Sequence, residues 1–209
     1  MELFHLGSNA SGHAQWTDLP TIWVGSAGSG KSTQFVAPSG PMVARHGGKV
    51  IDPCWMLDPD TGATIENTPR LPTSAHQSAT VSLIRTAFGD ASSELGLLID
   101  EPLFIPGFFE IWQKAIAEAI ECKRPLGIAL QTLDNCPDIA AASQHSVLVF
   151  LRRGYMLPPQ KNMPFDVDTL HRFICTLRPD QVAISYPTGS HDRKWEALAV
   201  PDIPLKAAQ

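Results

Sequence analysis

TIWVGSAGSGKST, residues 21–33, joins a short apolar run to a glycine-rich turn and a Lys-Ser-Thr triplet. Within it, Gly25-Ser26-Ala27-Gly28-Ser29-Gly30-Lys31-Ser32 satisfies GxxxxGK[ST] directly after a candidate strand. Glycines at 25, 28 and 30 permit a loop whose backbone N–H groups converge on phosphate oxygens, and the following helix adds its positive N-terminal end. In such a loop Lys31 places its ammonium on the β- and γ-phosphates, Ser32 gives its hydroxyl to Mg²⁺, and Thr33 supports the α-phosphate. Pro38, Gly40 and Pro41 fall where the next helix should run, so that helix is expected to be short or kinked.

A phosphate-binding loop specifies a nucleotide but not turnover. Residues 95–101, LGLLIDE, supply the second feature: an apolar strand ending in Asp100-Glu101. There the aspartate accepts from Mg²⁺-bound water while the adjacent carboxylate polarises the attacking water. The bland reading of the pair is a strand end meeting solvent. The third feature is Gln131, at the tip of the strand LGIALQ, where an amide can bond the γ-phosphate or the lytic water.

Working outward, the chain alternates short apolar runs with helical periodicity, as a helix-covered sheet requires. Candidate strands are residues 21–25, 49–52, 95–100, 126–131 and 146–151, mostly apolar on both faces and therefore suited to a buried parallel sheet. Residues 108–124 form the clearest helix, with Phe108, Trp112, Ala115, Ile116, Ala119 and Ile120 on one stripe. A second helix, 165–177, leads to QVAISY and WEALAV, read as a terminal antiparallel hairpin turning at Pro187-Thr188-Gly189. Proline concentrates in 38–72 and 156–164, which read as loops. The fold class is α/β, mainly parallel, with an antiparallel edge, in one domain spanning residues 1–209.

Composition narrows the function classes. Of 209 residues, 18% are charged and the net charge is −5, so the surface as a whole lacks the basic footprint of a nucleic-acid binder, and any DNA contact needs a local ring or channel. The chain offers no stretch long and apolar enough for a membrane span and no secretory start, so a cytoplasmic protein is expected. Cys54, Cys122, Cys136 and Cys175 never form CxxC and are expected as isolated buried thiols, not a zinc site. HExxH and GxSxG are absent. Asp58-Pro59-Asp60 reads as a turn.

In this order, the strand and loop, acidic pair, long helix and glutamine-tipped strand resemble the FtsK/HerA branch of RecA-like motor ATPases, most closely the ATPases of conjugation and type IV secretion. The likeness runs over about residues 4–200, with specific motifs only in the loop and in residues 96–131. It implies a RecA-like P-loop NTPase fold. It also implies ATP on Gly25, Ser26, Ala27, Gly28, Ser29, Gly30, Lys31, Ser32 and Thr33, Mg²⁺ on Ser32 and Asp100, Glu101 as base and Gln131 as sensor. Family members act as hexameric rings in which a neighbour lends an arginine, and Arg124, Arg152 and Arg153 are the candidates. The resemblance further implies a homo-oligomer at the inner face of a membrane-associated secretion or conjugation complex, with DNA possible through the ring channel. The family's long helical insertion is matched only by the proline-rich stretch and a short helix expected near residues 81–88, and its large N-terminal domain has no counterpart.

Three other readings stay open. Small ATPases with the same motifs package genomes at the vertex of membrane-containing double-stranded DNA viruses, and the chain length suits them. A small nucleotide kinase needs an arginine-rich lid, of which Arg152-Arg153 is the only trace. A nonhydrolysing P-loop interaction protein draws its support from the broken helix after Lys31.

Overall fold

The computed structural model describes residues 2–52, 65–67, 96–100, 108–156, 163–188 and 193–200. Among these, ten strands form one sheet in the order β2-β1-β10-β9-β8-β3-β7-β6-β4-β5. Its centre is parallel: β8 (Val147–Leu151), β3 (Thr21–Val24), β7 (Leu126–Leu130), β6 (Leu97–Asp100), β4 (Lys49–Asp52) and β5 (Ile65–Asn67). The apolar runs of β3, β6, β7 and β8 are buried along their whole length because both faces are covered.

Alternation along each strand divides the core in two. Ile22, Val24, Ile99, Ile128, Leu148 and Phe150 pack with α2 (Phe108–Glu121), α3 (Pro137–Ala142) and α4 (Val167–Thr176). Trp23, Leu98, Ala129, Val149 and Leu151 face the other way, onto Phe35, Val36 and Val43 of the helical stretch after the loop and onto Leu3, Phe4 and Leu6. On α2, Ile116, Ala119 and Ile120 are buried while Lys114, Glu118 and Glu121 are exposed, as the periodicity predicts.

The C-terminal hairpin forms as expected, with β9 (Gln181–Ser185) antiparallel to both β8 and β10 (Glu196–Ala199). Two more strands, β1 (Phe4–Ser8) and β2 (Ala14–Thr17), extend that antiparallel side. The sheet curls. Phe4 is bonded into the outer part of the sheet, yet a Cβ added at Gly127, in the central strand β7, would lie 2.8 Å from its ring. Phe4 also meets Trp23 edge-on at 6.0 Å.

The helix after the loop is irregular but not cut short. Ser32–Val36 is π-helical, with Ala37 N–H donating to Ser32 O, and α1 (Ala37–Arg45) continues it through Pro38, Gly40 and Pro41. Pro38 has no N–H for the carbonyl of Gln34, four residues back. His5 Nδ1 lies 3.3 Å from that carbonyl and supplies a substitute donor. So the helix opens with a π turn ahead of Pro38, and part of the stretch read as loop is helix and strand. The expected helix near residues 81–88 lies outside the described residues. No helix among those described is long and apolar enough to cross a membrane.

Cys136 is buried as expected, and burial, aided by Asp134, pushes its thiol up to about 12. Cys122 and Cys175 are exposed instead, because each sits on the outer side of a helix end. Cys54 lies outside the described residues.

Candidate functional site

All the central strands run the same way, so their C-terminal ends meet at one edge, the place where an open α/β sheet presents its crevice. The glycine-rich loop leaves β3 at this edge. Gly28 and Gly30 have φ of +73° and +101°, a region in which side chains are strained, and this explains glycine at these two positions. Gly25 N–H bonds to Leu130 O at the end of β7, Ser26 N–H to Gly154 O beyond β8, and Ser29 N–H to Ser26 O within the loop. The loop is thus anchored on both sides.

Lys31 is 3% exposed, and its Nζ donates to Gly25 O at 2.6 Å and Ser26 O at 3.2 Å. Its charge is therefore stored across the loop. Ser32 is buried at the start of the helix, and Thr33 Oγ1 donates to Gly30 O at 3.3 Å. Ser26, Ala27 and Gly28 form the outer part of the loop.

Asp100 ends β6 and is fully buried. Register places it opposite Ala129, which in turn pairs with Trp23, so Asp100 stands level with the residue two before the loop. With β7 between them, the two backbones are roughly 10 Å apart, twice the strand spacing. Leu130 pairs with Val24, so Gln131, half-buried, is level with Gly25. Glu101 lies outside the described residues.

The arginines separate. Arg124 precedes β7 and so lies at the opposite edge of the sheet from its own loop. It closes a cap in which its N–H reaches Ala119 O and Lys123 N–H reaches Ile120 O. Arg152 and Arg153 follow β8, at the loop's edge. Arg152 N–H bonds to Gln181 O, and Gly154, two residues on, receives Ser26. A cleft of about 360 Å³ opens there, lined by Ser29, Gln34, Arg152, Arg153, Asp180 and Gln181 among others.

Two supporting residues gave no functional signal in the sequence. Gly154 has φ of +74°, and a Cβ there would collide with Ser26; its only trace is a glycine after an apolar strand. His5 is buried between Trp16 and Phe35, its backbone N–H bonded to Ser39 Oγ and its carbonyl to Trp23 Nε1. Burial lowers its pKa, opposed by the bond to Gln34. Nδ1 facing a carbonyl must carry the proton.

The residues fit a nucleotide with Mg²⁺ by placement and chemistry. The loop has the two left-handed glycines that a phosphate cradle needs, Lys31 sits at its mouth, and Ser32 and Asp100 offer oxygens on neighbouring elements.

No protein-family profile matches this sequence, and no curated protein does. Solved structures do match. The genome packaging NTPase B204 of Sulfolobus turreted icosahedral virus 2, in complex with AMPPCP, is similar at TM-score 0.56 and 16% identity, over 87% of this chain and 97% of that one. The same NTPase with ATP-gammaS gives TM-score 0.54 at 16% identity, over the same shares. EccC of Thermomonospora curvata, ATPases 2 and 3 with a signal sequence peptide, gives TM-score 0.54 at 12% identity, over 95% of this chain and 41% of that one. At such identities the likeness speaks for architecture, and the chain has the α/β fold of RecA-like P-loop ATPases.

Proposed function

We propose that this chain is a Mg²⁺-dependent ATPase of the FtsK/HerA type that drives transfer of a polymer, protein or DNA, through a ring of its own copies. The observation that carries the reading is the loop itself: left-handed glycines at 28 and 30 and the buried Lys31 held across its mouth, with Asp100 buried two strands away.

Lys31 exchanges the carbonyls of Gly25 and Ser26 for oxygens of the β- and γ-phosphates. Ser32 and Asp100 hold the metal, Asp100 through water; Mg²⁺, when bound, neutralises charge developing on the phosphate oxygens. Glu101, next in sequence to Asp100, takes a proton from water as its oxygen bonds the γ-phosphorus and the bond to ADP breaks. Gln131, level with Gly25, bonds the γ-phosphate or that water. Arg124, remote from its own loop, suits action on a neighbour's nucleotide.

Conjugation or type IV secretion, at the inner face of a membrane complex, is the setting the sequence resemblance favours. Genome packaging is favoured by a different observation, the match to nearly the whole length of the viral NTPase. ATP turnover with and without double-stranded DNA separates them. Stimulation by DNA supports packaging or DNA transfer, and indifference to it supports a protein cargo. Binding of ATP without turnover in any condition would leave the nonhydrolysing interaction protein in its place.

A further inference from the structure

The proposed ATP site has a direction, and this inference rests on that reading. Asp100 on β6 marks the metal and γ-phosphate side of the loop. In the sheet order β8-β3-β7-β6, β8 lies across β3 from β6, so the nucleoside end of a nucleotide leaves the loop towards β8. The cleft of about 360 Å³ opens on that side, within the range of small-ligand pockets.

We propose that this cleft receives the ribose and base of the nucleotide held by the same chain's loop, and that Arg152 binds that nucleoside in cis. Arg152 and Ser29 line the cleft, and each carries a buried polar atom behind its wall, Arg152 Nε and Ser29 Oγ, with no hydrogen-bond partner among the described residues. Buried donors are normally satisfied, and a guanidinium suits the acceptor atoms of a ribose or base. Arg152 is also tied to its own loop: its N–H is held by Gln181 O, and Gly154 O holds Ser26 N–H. An arginine fixed in this way is placed for its own nucleotide, which leaves the neighbour's site to Arg124 or the exposed Arg153.

The test compares Mg²⁺-ATP with Mg²⁺-tripolyphosphate, which offers the phosphates without the nucleoside, on wild type and Arg152→Met. Arg152→Met should weaken ATP binding about tenfold, the scale of one lost charged hydrogen bond, and leave tripolyphosphate binding unchanged. Unchanged tripolyphosphate affinity also reports a folded loop. Unaltered ATP affinity, or an equal loss for both ligands, would overturn the assignment. If wild type binds neither ligand, the nucleotide-site reading fails and takes this inference with it. Mixing Arg152→Met with Lys31→Ala chains gives a second readout. An arginine acting in cis leaves every site in the mixture defective, whereas recovery of turnover would place Arg152 in trans and overturn the proposal.

Discussion

Lys31 is the residue on which the site turns, and its two backbone carbonyls define what it does before a ligand arrives. Lys31→Ala should abolish ATP turnover and lower nucleotide affinity while the thermal unfolding transition stays cooperative, a combination checked by calorimetry beside a binding titration. The fold below the loop depends on His5. Its pKa is lowered mainly by burial, so the unfolded chain takes up a proton at higher pH than the folded one. Stability from His5 is complete above the unfolded value of about 6.5 and is lost as pH falls below it. Wild type should therefore lose thermal stability as pH falls below about 6.5, and His5→Asn, which keeps an N–H donor without the titration, should lose less. A slope equal in both would remove His5 from the account. At this scale the geometry of the candidate site was legible where chemistry dictates residue type, as in the positive φ of Gly28 and Gly30 and the burial of Lys31 and Asp100. Gly154 and His5 were not, because their constraints come from partners more than a hundred residues away in one case and from a missing proline N–H in the other.

Elements were read most accurately where a single period dominates. Among the residues of α2 whose burial is described, the pattern follows the stripe except at Ala117, which is also buried, and at Gln113, which is buried because its amide oxygen accepts Asp138 N–H at 3.3 Å at the start of α3. The same helix ends on Lys123 at φ +55°, where α1 ends on Gly47 at φ +77° in the same type of cap. A lysine in this region is strained, so Lys123→Gly should stabilise the protein by roughly 0.5–1 kcal/mol in denaturant titration, the relief being partly offset by the freer unfolded chain. The N-terminal hairpin was missed, although its turn is written in Asn9, whose Oδ1 accepts from Ser11 N–H and His13 N–H. Flanking Gly7 and mixed polarity hid the strands. Buried Arg193 was also missed: it donates to Ser143 O, Ser146 O and Ser185 O, joining the C-terminal hairpin to the segment after α3. Burial lowers its pKa to about 10, still charged at neutral pH. Arg193→Met removes three charged hydrogen bonds from this junction, although Ser143 O keeps those from Ser146 N–H and Oγ, and should cost at least about 2 kcal/mol by the same titration.

For the molecule as a whole, the curl of the sheet sets what the loop rests on. Phe4, Trp23 and Phe35 fill the face beneath it, and Gly127 gives Phe4 its space. Gly127→Val should destabilise the fold by about 1–3 kcal/mol through overpacking, read from the unfolding midpoint. Parallel order was legible from strands apolar on both faces, whereas the curl was not, since it arises from contacts between the first strand and a strand more than a hundred residues later. On the proposed reading, function at this scale requires copies: Arg124, at the far edge from its own loop, can serve only a neighbour's nucleotide. The central claim is that one chain binds ATP and, with its neighbours, hydrolyses it. The most direct measurement is ATP turnover by wild type and Glu101→Gln, each paired with a nucleotide-binding titration. The account predicts turnover in wild type that disappears in Glu101→Gln while binding persists; equal turnover in the two proteins would contradict it.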